Sequence, residues 1–311
     1  MLKLGVQTQN AVSDKNPAEG FKMIIDAGFS CVDFSLHGYL LNKDIYQGKI
    51  NNFFDKSIDE LEDYFKPHKL AAQSNNITIH QMHMPYPMYV PAGKHSINEY
   101  LRSNVAMKSM QLCKYLDCRY IVIHGFKMES QLGSEVEEWN YTESFLETIL
   151  PFAKENNITI CVENLYSTIG GHLIEGPCCK VNRIAERIDR INDKYQADVL
   201  GFCLDTGHAN LVGLDFETFI NALGSRLKVL HIHDNDGVRD LHQIPFTFAR
   251  TRENTCSTDW NGFIRGLQDI HYDGVLNFET GPVLKSFPAE LKPNALKFIA
   301  EIGKYFASNL I

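Results

Sequence analysis

The sequence has no Cys-x-x-Cys pair, no run of 18 consecutive apolar residues, no linker rich in proline, glycine or serine, and no block of like charge. The first absence removes the usual zinc-ribbon and thiol-redox signatures. The eight cysteines (Cys31, Cys113, Cys118, Cys161, Cys178, Cys179, Cys203 and Cys256) are scattered, several of them inside apolar strand-like runs. They read as reduced thiols packed as small hydrophobes rather than as a disulfide framework. The second absence leaves no transmembrane helix, and the opening stretch MLKLGVQTQN lacks the apolar region of a secretory leader. A cytoplasmic location with no membrane partner is therefore expected, and the sequons at Asn76, Asn140 and Asn157 carry no glycosylation expectation. The third leaves nowhere to put a domain boundary, so residues 1–311 are expected to form a single domain. Positive charge is also in deficit. Lys and Arg number 30 against 38 Asp and Glu, a net charge of −8 that argues against nucleic acid as the main partner.

What is present is 44% hydrophobic and 22% charged, the balance of a soluble globular protein with a large core. Short β-like runs at 2–8, 31–36, 78–84, 119–125, 158–164, 200–206, 228–234 and 274–279 alternate with helical patterns at 17–27, 57–75, 97–117, 141–156, 181–196, 215–226, 260–271 and 291–308. In the third helical segment Leu101, Val105, Met110, Leu112 and Leu116 form an apolar stripe at helical spacing. Strict strand–helix alternation implies parallel strands with right-handed crossovers. Eight such units predict a closed α/β (β/α)8 TIM barrel, with a doubly wound sheet as the alternative. An internal echo fits repeated units: Asn75-Asn76-Ile77-Thr78-Ile79 recurs as Asn156-Asn157-Ile158-Thr159-Ile160.

Barrel enzymes carry their reactive groups at the C-terminal ends of the strands. There the third strand has His80-x-x-His83, the fourth His124, the fifth Glu163, the sixth Asp205-x-x-His208, the seventh His231-x-His233 and the eighth Glu279. Carboxylates converging in a buried mouth repel one another unless a cation neutralises them. Glu163, Asp205, His231 and Glu279 are accordingly the expected ligands of one divalent metal, and an oxygen-rich set with imidazole suits Mn, Mg, Co or Zn. His231 and His233 face the same side of their strand, and His231 is favoured because it lies deeper in the apolar run.

The motifs VEN, LDTGH, HIHDND and NFET, spread over most of the chain, resemble the xylose isomerase-like barrel superfamily. That superfamily includes sugar isomerases, ketose 3-epimerases, inosose-processing enzymes and endonuclease IV. The resemblance implies that Glu163, Asp205, His231 and Glu279 match the four ligands of its single catalytic metal, and that His208 contacts the sugar. Asp240-Leu241-His242, with Thr258-Asp259-Trp260 further on, resembles the seventh loop of many members. The Pro-Gly turn usual before the Asp-Trp pair is replaced here by FTFARTRENTCS, which contains Arg250 and Arg252.

The implied activity is metal-dependent isomerisation or epimerisation of a small sugar, sugar phosphate or polyol. Removing a proton from carbon beside a carbonyl needs an acid–base pair and stabilisation of the enediolate, and Glu163 and Glu279 are the expected pair. His83, His124, His208, Asp240 and His242 are expected to bind substrate, Tyr86 and Trp260 to give it apolar walls, and Arg239, Arg250 or Arg252 to meet a phosphate. A homo-oligomer is compatible with all of this. Two alternatives share the scaffold. An inosose-type dehydratase would use the same base and expel a hydroxyl. An endonuclease IV-like tri-zinc phosphodiesterase acting on abasic DNA would draw on His83, His124, Glu163, Asp205, His208, His231, Asp240, His242 and Glu279 together.

Overall fold

The computed structural model describes residues 2–128, 132–248 and 257–310. Its strands, numbered along the chain, are β1 (Lys3–Gln7), β2 (Cys31–Ser35), β3 (Thr78–His83), β4 (Tyr120–His124), β5 (Thr159–Glu163), β6 (Tyr166–Ile169), β7 (His172–Glu175), β8 (Leu200–Asp205), β9 (Leu227–His231) and β10 (Val275–Phe278). Eight of them pair in parallel in the order β10-β1-β2-β3-β4-β5-β8-β9. Ile232 closes the circle. Its N–H donates to Asn277 O at 2.8 Å, and its carbonyl accepts from the Glu279 N–H at 3.1 Å. The expected (β/α)8 barrel is therefore the fold, and the doubly wound sheet is not.

The outer helices are α1 (Pro17–Ala27), α3 (Ile58–Ser74), α5 (Ala106–Tyr115), α6 (Glu135–Glu155), α7 (Val181–Tyr195), α9 (Phe216–Leu223), α10 (Trp260–Asp269) and α12 (Lys292–Asn309). Shorter helices α2 (Asn42–Tyr46), α4 (His95–Tyr100), α8 (Thr206–Leu211) and α11 (Gly281–Ser286) decorate the rim, and one π turn at Leu101–Val105 joins α4 to α5. The stripe of Leu101, Val105, Met110, Leu112 and Leu116 is buried against the sheet. Among the described residues, no helix is long and apolar enough to cross a membrane.

The repeated Asn-Asn-Ile-Thr-Ile has a local cause. In each copy the first Asn caps a helix and the second, Asn76 or Asn157, adopts φ 55°, a left-handed conformation that asparagine tolerates. The following Ile77 and Ile158 N–H groups reach back to Ala72 O and Ala153 O at 2.9 Å, and the chain then turns into a strand. The same pentapeptide thus makes the same helix-to-strand corner.

Two elements depart from expectation. Helix α6 starts at Glu135, not near 141, because Glu135, Glu137 and Glu138 lie in a first turn where the helix dipole favours acids. The antiparallel hairpin β6–β7 follows β5. Its turn is Gly170-Gly171, both at positive φ, the Gly-Gly signal for a tight hairpin that strand counting passed over.

The main core lies between sheet and helices. Inside the barrel, Val122, Cys161, Cys203 and Val229 form a separate small cluster, and buried polar Asp33, Gln81 and Asn277 also occur on its strands. The seven described cysteines are free and buried; Cys256 lies outside the described residues.

Candidate active site

Glu163 ends β5, Asp205 ends β8, His231 ends β9 and Glu279 follows β10, so parallel pairing brings their side chains to one rim. His231 Nδ1 stands 3.1 Å from Glu163 Oε2 and 3.4 Å from Glu279 Oε2. Asp205 joins through the imidazole of His208, whose Nδ1 is 3.1 Å from Glu163 Oε1 and 3.5 Å from Asp205 Oδ1. His83 and His124 approach Glu163 from the other side, at 3.5 and 3.6 Å. His242 is 3.3 Å from Asp240 Oδ2 and 3.7 Å from Glu279 Oε2, and Asp240 also meets His208 Nε2 at 3.2 Å. Glu163, Asp205, His231, Glu279, His83, His124, His208, Asp240 and His242 thus meet in one cluster, with Glu163 at its hub.

Local structure aims these groups. Asp205 is also the N-cap of α8, accepting from the His208 N–H at 2.7 Å. Its backbone is clamped by Asn164, which donates to Asp205 O and accepts from Asp205 N–H, both at 2.9 Å. Gly207 is required beside them, since a Cβ there would sit 1.9 Å from His233 Cε1. His83 Nδ1 donates to Met84 O at 2.7 Å, which leaves its Nε2 facing His124 Nε2 at 3.1 Å.

The two histidines of β9 and its extension divide. His231 is at the junction of Glu163 and Glu279, whereas His233 packs Nε2 against Asp205 Oδ2 at 2.9 Å and stacks on His242 with ring centroids 3.9 Å apart. Behind His231, its Nε2–H donates to Asp33 Oδ2 at 3.0 Å. A carboxylate in that place fixes the tautomer and turns the Nδ1 lone pair toward the cluster. Asp33 was not anticipated; a fully buried acid within the apolar run CVDFS was the available signal.

Protons and charges balance within the cluster. Burial alone would lower His208 and His231, yet both are held well above the usual range, His208 by Asp205 and Asp240 and His231 by Cys203 and Glu279. His242 is likewise opposed by burial but pushed up to about 10 by Asp240 and Glu279. Burial opposes ionisation of Glu163, but His124 and His231 carry it well below the carboxylate range. For His124 burial outweighs the pull of Glu163 and pushes the imidazole well below its usual range. Glu163 Oε2, His231 Nδ1, His124 Nδ1 and Asp240 Oδ1 are buried without a hydrogen-bond partner. Carboxylate oxygens and imidazole nitrogens facing one another in this way become, once the imidazolium protons leave, the donor set of a divalent cation. Ligand atoms of His83, His124 and Glu163 lie within 4.8 Å of one another, as do those of His83, His231 and Glu279, and of Glu163, Asp205 and His208.

The cluster opens into a cavity of about 260 Å³ lined by Gln7, Ser35, His37, Asn42, Tyr86 and most of the cluster, with Asp205 and His231 buried behind it. Tyr86 forms a wall, as expected. Trp260 does not: it packs among Phe246, Phe263 and Phe306, because the Asp259 N-cap turns it into the first turn of α10. His80 also stays out: the pairing of β3 with β2 skips it between Ile79 and Gln81, and its ring packs on Tyr120 with centroids 5.1 Å apart. Arg239 is exposed and paired with Asp236 at 2.9 Å; Arg250 and Arg252 lie outside the described residues.

A family model described as xylose isomerase-like TIM barrel matches residues 21–301. The chain is 25% identical over 285 residues to protein MJ1188 of Methanocaldococcus jannaschii, covering 90% of this chain and 88% of that one. It is 24% identical to a probable endonuclease 4 of Mycoplasma pneumoniae, over 76% of this chain and 73% of that one. An inosose isomerase of Bacillus velezensis is 23% identical, over 81% and 87% respectively. Among solved structures, a D-psicose 3-epimerase crystallised with D-fructose superposes with a TM-score of 0.65 at 14% identity, covering 98% of this chain and 99% of that one. A 3-keto-D-glucoside 4-epimerase from E. coli gives 0.67 at 13% identity, covering 97% and 100%. At these identities the superpositions speak for the fold alone.

Proposed function

The chain belongs to the xylose isomerase-like TIM barrel family, and we propose that it is a divalent-metal-dependent isomerase or epimerase of a small sugar, sugar phosphate or polyol. The observation that carries this reading is the pair Glu163 and Glu279 on either side of His231 Nδ1, 3.1 and 3.4 Å away, at the floor of a monosaccharide-sized cavity. A cation held by Glu163, Asp205, His231 and Glu279 supplies Lewis-acid polarisation of a carbonyl and a neighbouring hydroxyl. The residues do the rest. One glutamate removes the proton on carbon while the other delivers one, and their protonation is shared across the site. Gln7 donates to Glu279 Oε1 at 2.6 Å and holds that carboxylate toward the cavity. Asp205 and His231 orient; His83, His124, His208, Asp240 and His242 hydrogen-bond hydroxyls.

Neutral hydrogen-bonding side chains such as Gln7, Ser35 and Asn42 on the cavity wall favour a polyhydroxylated ligand over a phosphodiester backbone. A sugar in the cytoplasm is thus the proposed partner. The test is metal-dependent exchange of a sugar C–H with D₂O across a panel of ketoses and polyols. Absence of exchange on every member with each of Mn, Mg, Co and Zn bound would end the proposal. A dehydratase would instead release water and leave a deoxy product. The second reading, a three-ion phosphodiesterase, is favoured by the His83–His124–Glu163 group and by the His208–Asp240–His242 contacts. About three zinc ions per chain, with incision of abasic-site DNA and no sugar exchange, would select it.

A further inference from the structure

A second cavity of about 360 Å³ adjoins the first and shares Tyr86 and His124 with it. Its walls are mostly aromatic and apolar: Tyr46, Tyr86, Tyr89, Phe126 and Met128. The Tyr46 and Tyr86 hydroxyls meet at 3.1 Å, and the Tyr86 ring lies 4.1 Å from that of His124. One cation lines it, Lys127, three residues beyond the end of β4. Its ammonium sits 4.6 Å from the centroid of Tyr166, a ring that in turn leans on His208 at 5.4 Å.

Among the described residues Lys127 makes no ion pair and no hydrogen bond, and the carboxylates of Asp240, Glu138 and Glu163 act on it only from beyond ion-pair range. Elsewhere in the chain Lys180 pairs with Glu175, and Arg239 with Asp236. A cation–π contact offsets only part of the loss of water around a half-buried ammonium. A cation left in that condition beside a reaction centre is a place for an anion.

We propose that this cavity is a second substrate subsite, in which Lys127 binds a carboxylate or phosphate and Tyr46 and Tyr86 take an apolar or ring face. The inference rests on the sugar-isomerase reading and narrows it: the substrate is longer than a free neutral monosaccharide and carries an anionic extension. Aromatic walls suit the C–H face of a sugar ring or an aryl group equally, while the lone ammonium selects for negative charge.

The test is calorimetric binding of phenyl β-D-glucuronide, phenyl phosphate and neutral phenyl β-D-glucoside to the metal-loaded protein and to its Lys127→Met and Lys127→Arg variants. The anionic probes are expected to bind at least tenfold more tightly than the glucoside. Lys127→Met should abolish that preference without weakening the glucoside, and Lys127→Arg should keep it. Tighter glucuronide than phenyl phosphate assigns a carboxylate, and the reverse a phosphate. Binding of neither anion, or anion preference unchanged in Lys127→Met, overturns the inference. A Lys127-dependent preference in a protein that exchanges no sugar proton would leave the subsite standing and remove the isomerase reading; exchange without the preference would do the opposite.

Discussion

Asp33 offers a direct test of the proposed metal site because it lies behind the ligands. The residue is fully buried in β2, with Oδ2 3.0 Å from His231 Nε2 and 3.4 Å from Gln81 Nε2, and with Oδ1 unpartnered. Asp33→Asn keeps the shape and an acceptor oxygen but removes the charge that fixes and strengthens the imidazole. Charge-assisted hydrogen bonds are about twice as strong as neutral ones, and loss of such an outer partner costs roughly 10–100-fold in metal affinity. That corresponds to about 1.4–2.7 kcal/mol.

Competition between the protein and a fluorescent chelator for Mn or Zn reads this loss, with circular dichroism confirming that the barrel stays folded. Asp33→Ala should lose more, since the His231 Nε2–H is then buried without an acceptor, at a further cost of about 1–3 kcal/mol. Protons provide an internal control. His231 is held in its protonated form by Cys203 and Glu279 against the opposing effect of burial, so metal entry must displace a proton and affinity must fall with pH. Metal binding by Asp33→Asn within twofold of the parent would refute the reasoning.

Glu163→Gln and Glu279→Gln should each lower C–H exchange by about 10²–10⁴-fold, measured by the rate of deuterium incorporation with the metal site saturated. Phe263→Ala, at a fully buried ring packed on Phe216, Trp260 and Phe306, should cost about 3–5 kcal/mol in urea unfolding. His80, partly buried, has its pKa lowered from 6.5 to about 4, chiefly by burial and then by Lys3. Because the unfolded chain takes the proton first, the stability from neutral His80 is intact above pH 6.5 and is lost as pH falls toward 4, by at most about 3 kcal/mol. His80→Gln should therefore flatten the acid limb of a melting-temperature profile, and an unchanged limb would contradict it. Gly207→Ala should displace His233 and abolish exchange, because no rotamer relieves a backbone Cβ 1.9 Å from the ring; a fully active Gly207→Ala protein would sink that account.

The barrel was legible because each strand–helix unit carries its own period, and the reactive rim because parallel strands put every C-terminal end on one side. What escaped had physical reasons. Asp33 is a single acid with no spacing signature, and its partner His231 is 198 residues away. Trp260 looked like a cavity wall because it follows an Asp beside the seventh loop; its size and the N-cap at Asp259 send it to the aromatic core instead. His80 escaped because the pairing of β3 with β2 skips it, an irregularity that no spacing in the sequence announces. The start of α6 was hidden by polar residues that favour a first turn through the dipole rather than through an apolar stripe. Lys127 has no motif at all, and only the fold brings it over Tyr166 beside the cluster.

Charge balance links the fold to the proposed chemistry. Asp205 and Asp240 hold a proton on His208, as Asp240 and Glu279 do on His242, in each case against burial; these protons neutralise carboxylates that the barrel forces together. His124 is different, being pushed down chiefly by burial although Glu163 pulls the other way. On the proposed reading a divalent ion enters between Glu163 and Glu279 at His231, with Asp205 reached across His208, since it gains most by replacing protons among carboxylates. A further ion at His83 and His124 would meet imidazoles and a Glu163 whose charge is already shared. On that reading one tightly held ion is the expected loading of this site, with sugar hydroxyls rather than more metal meeting the remaining histidines.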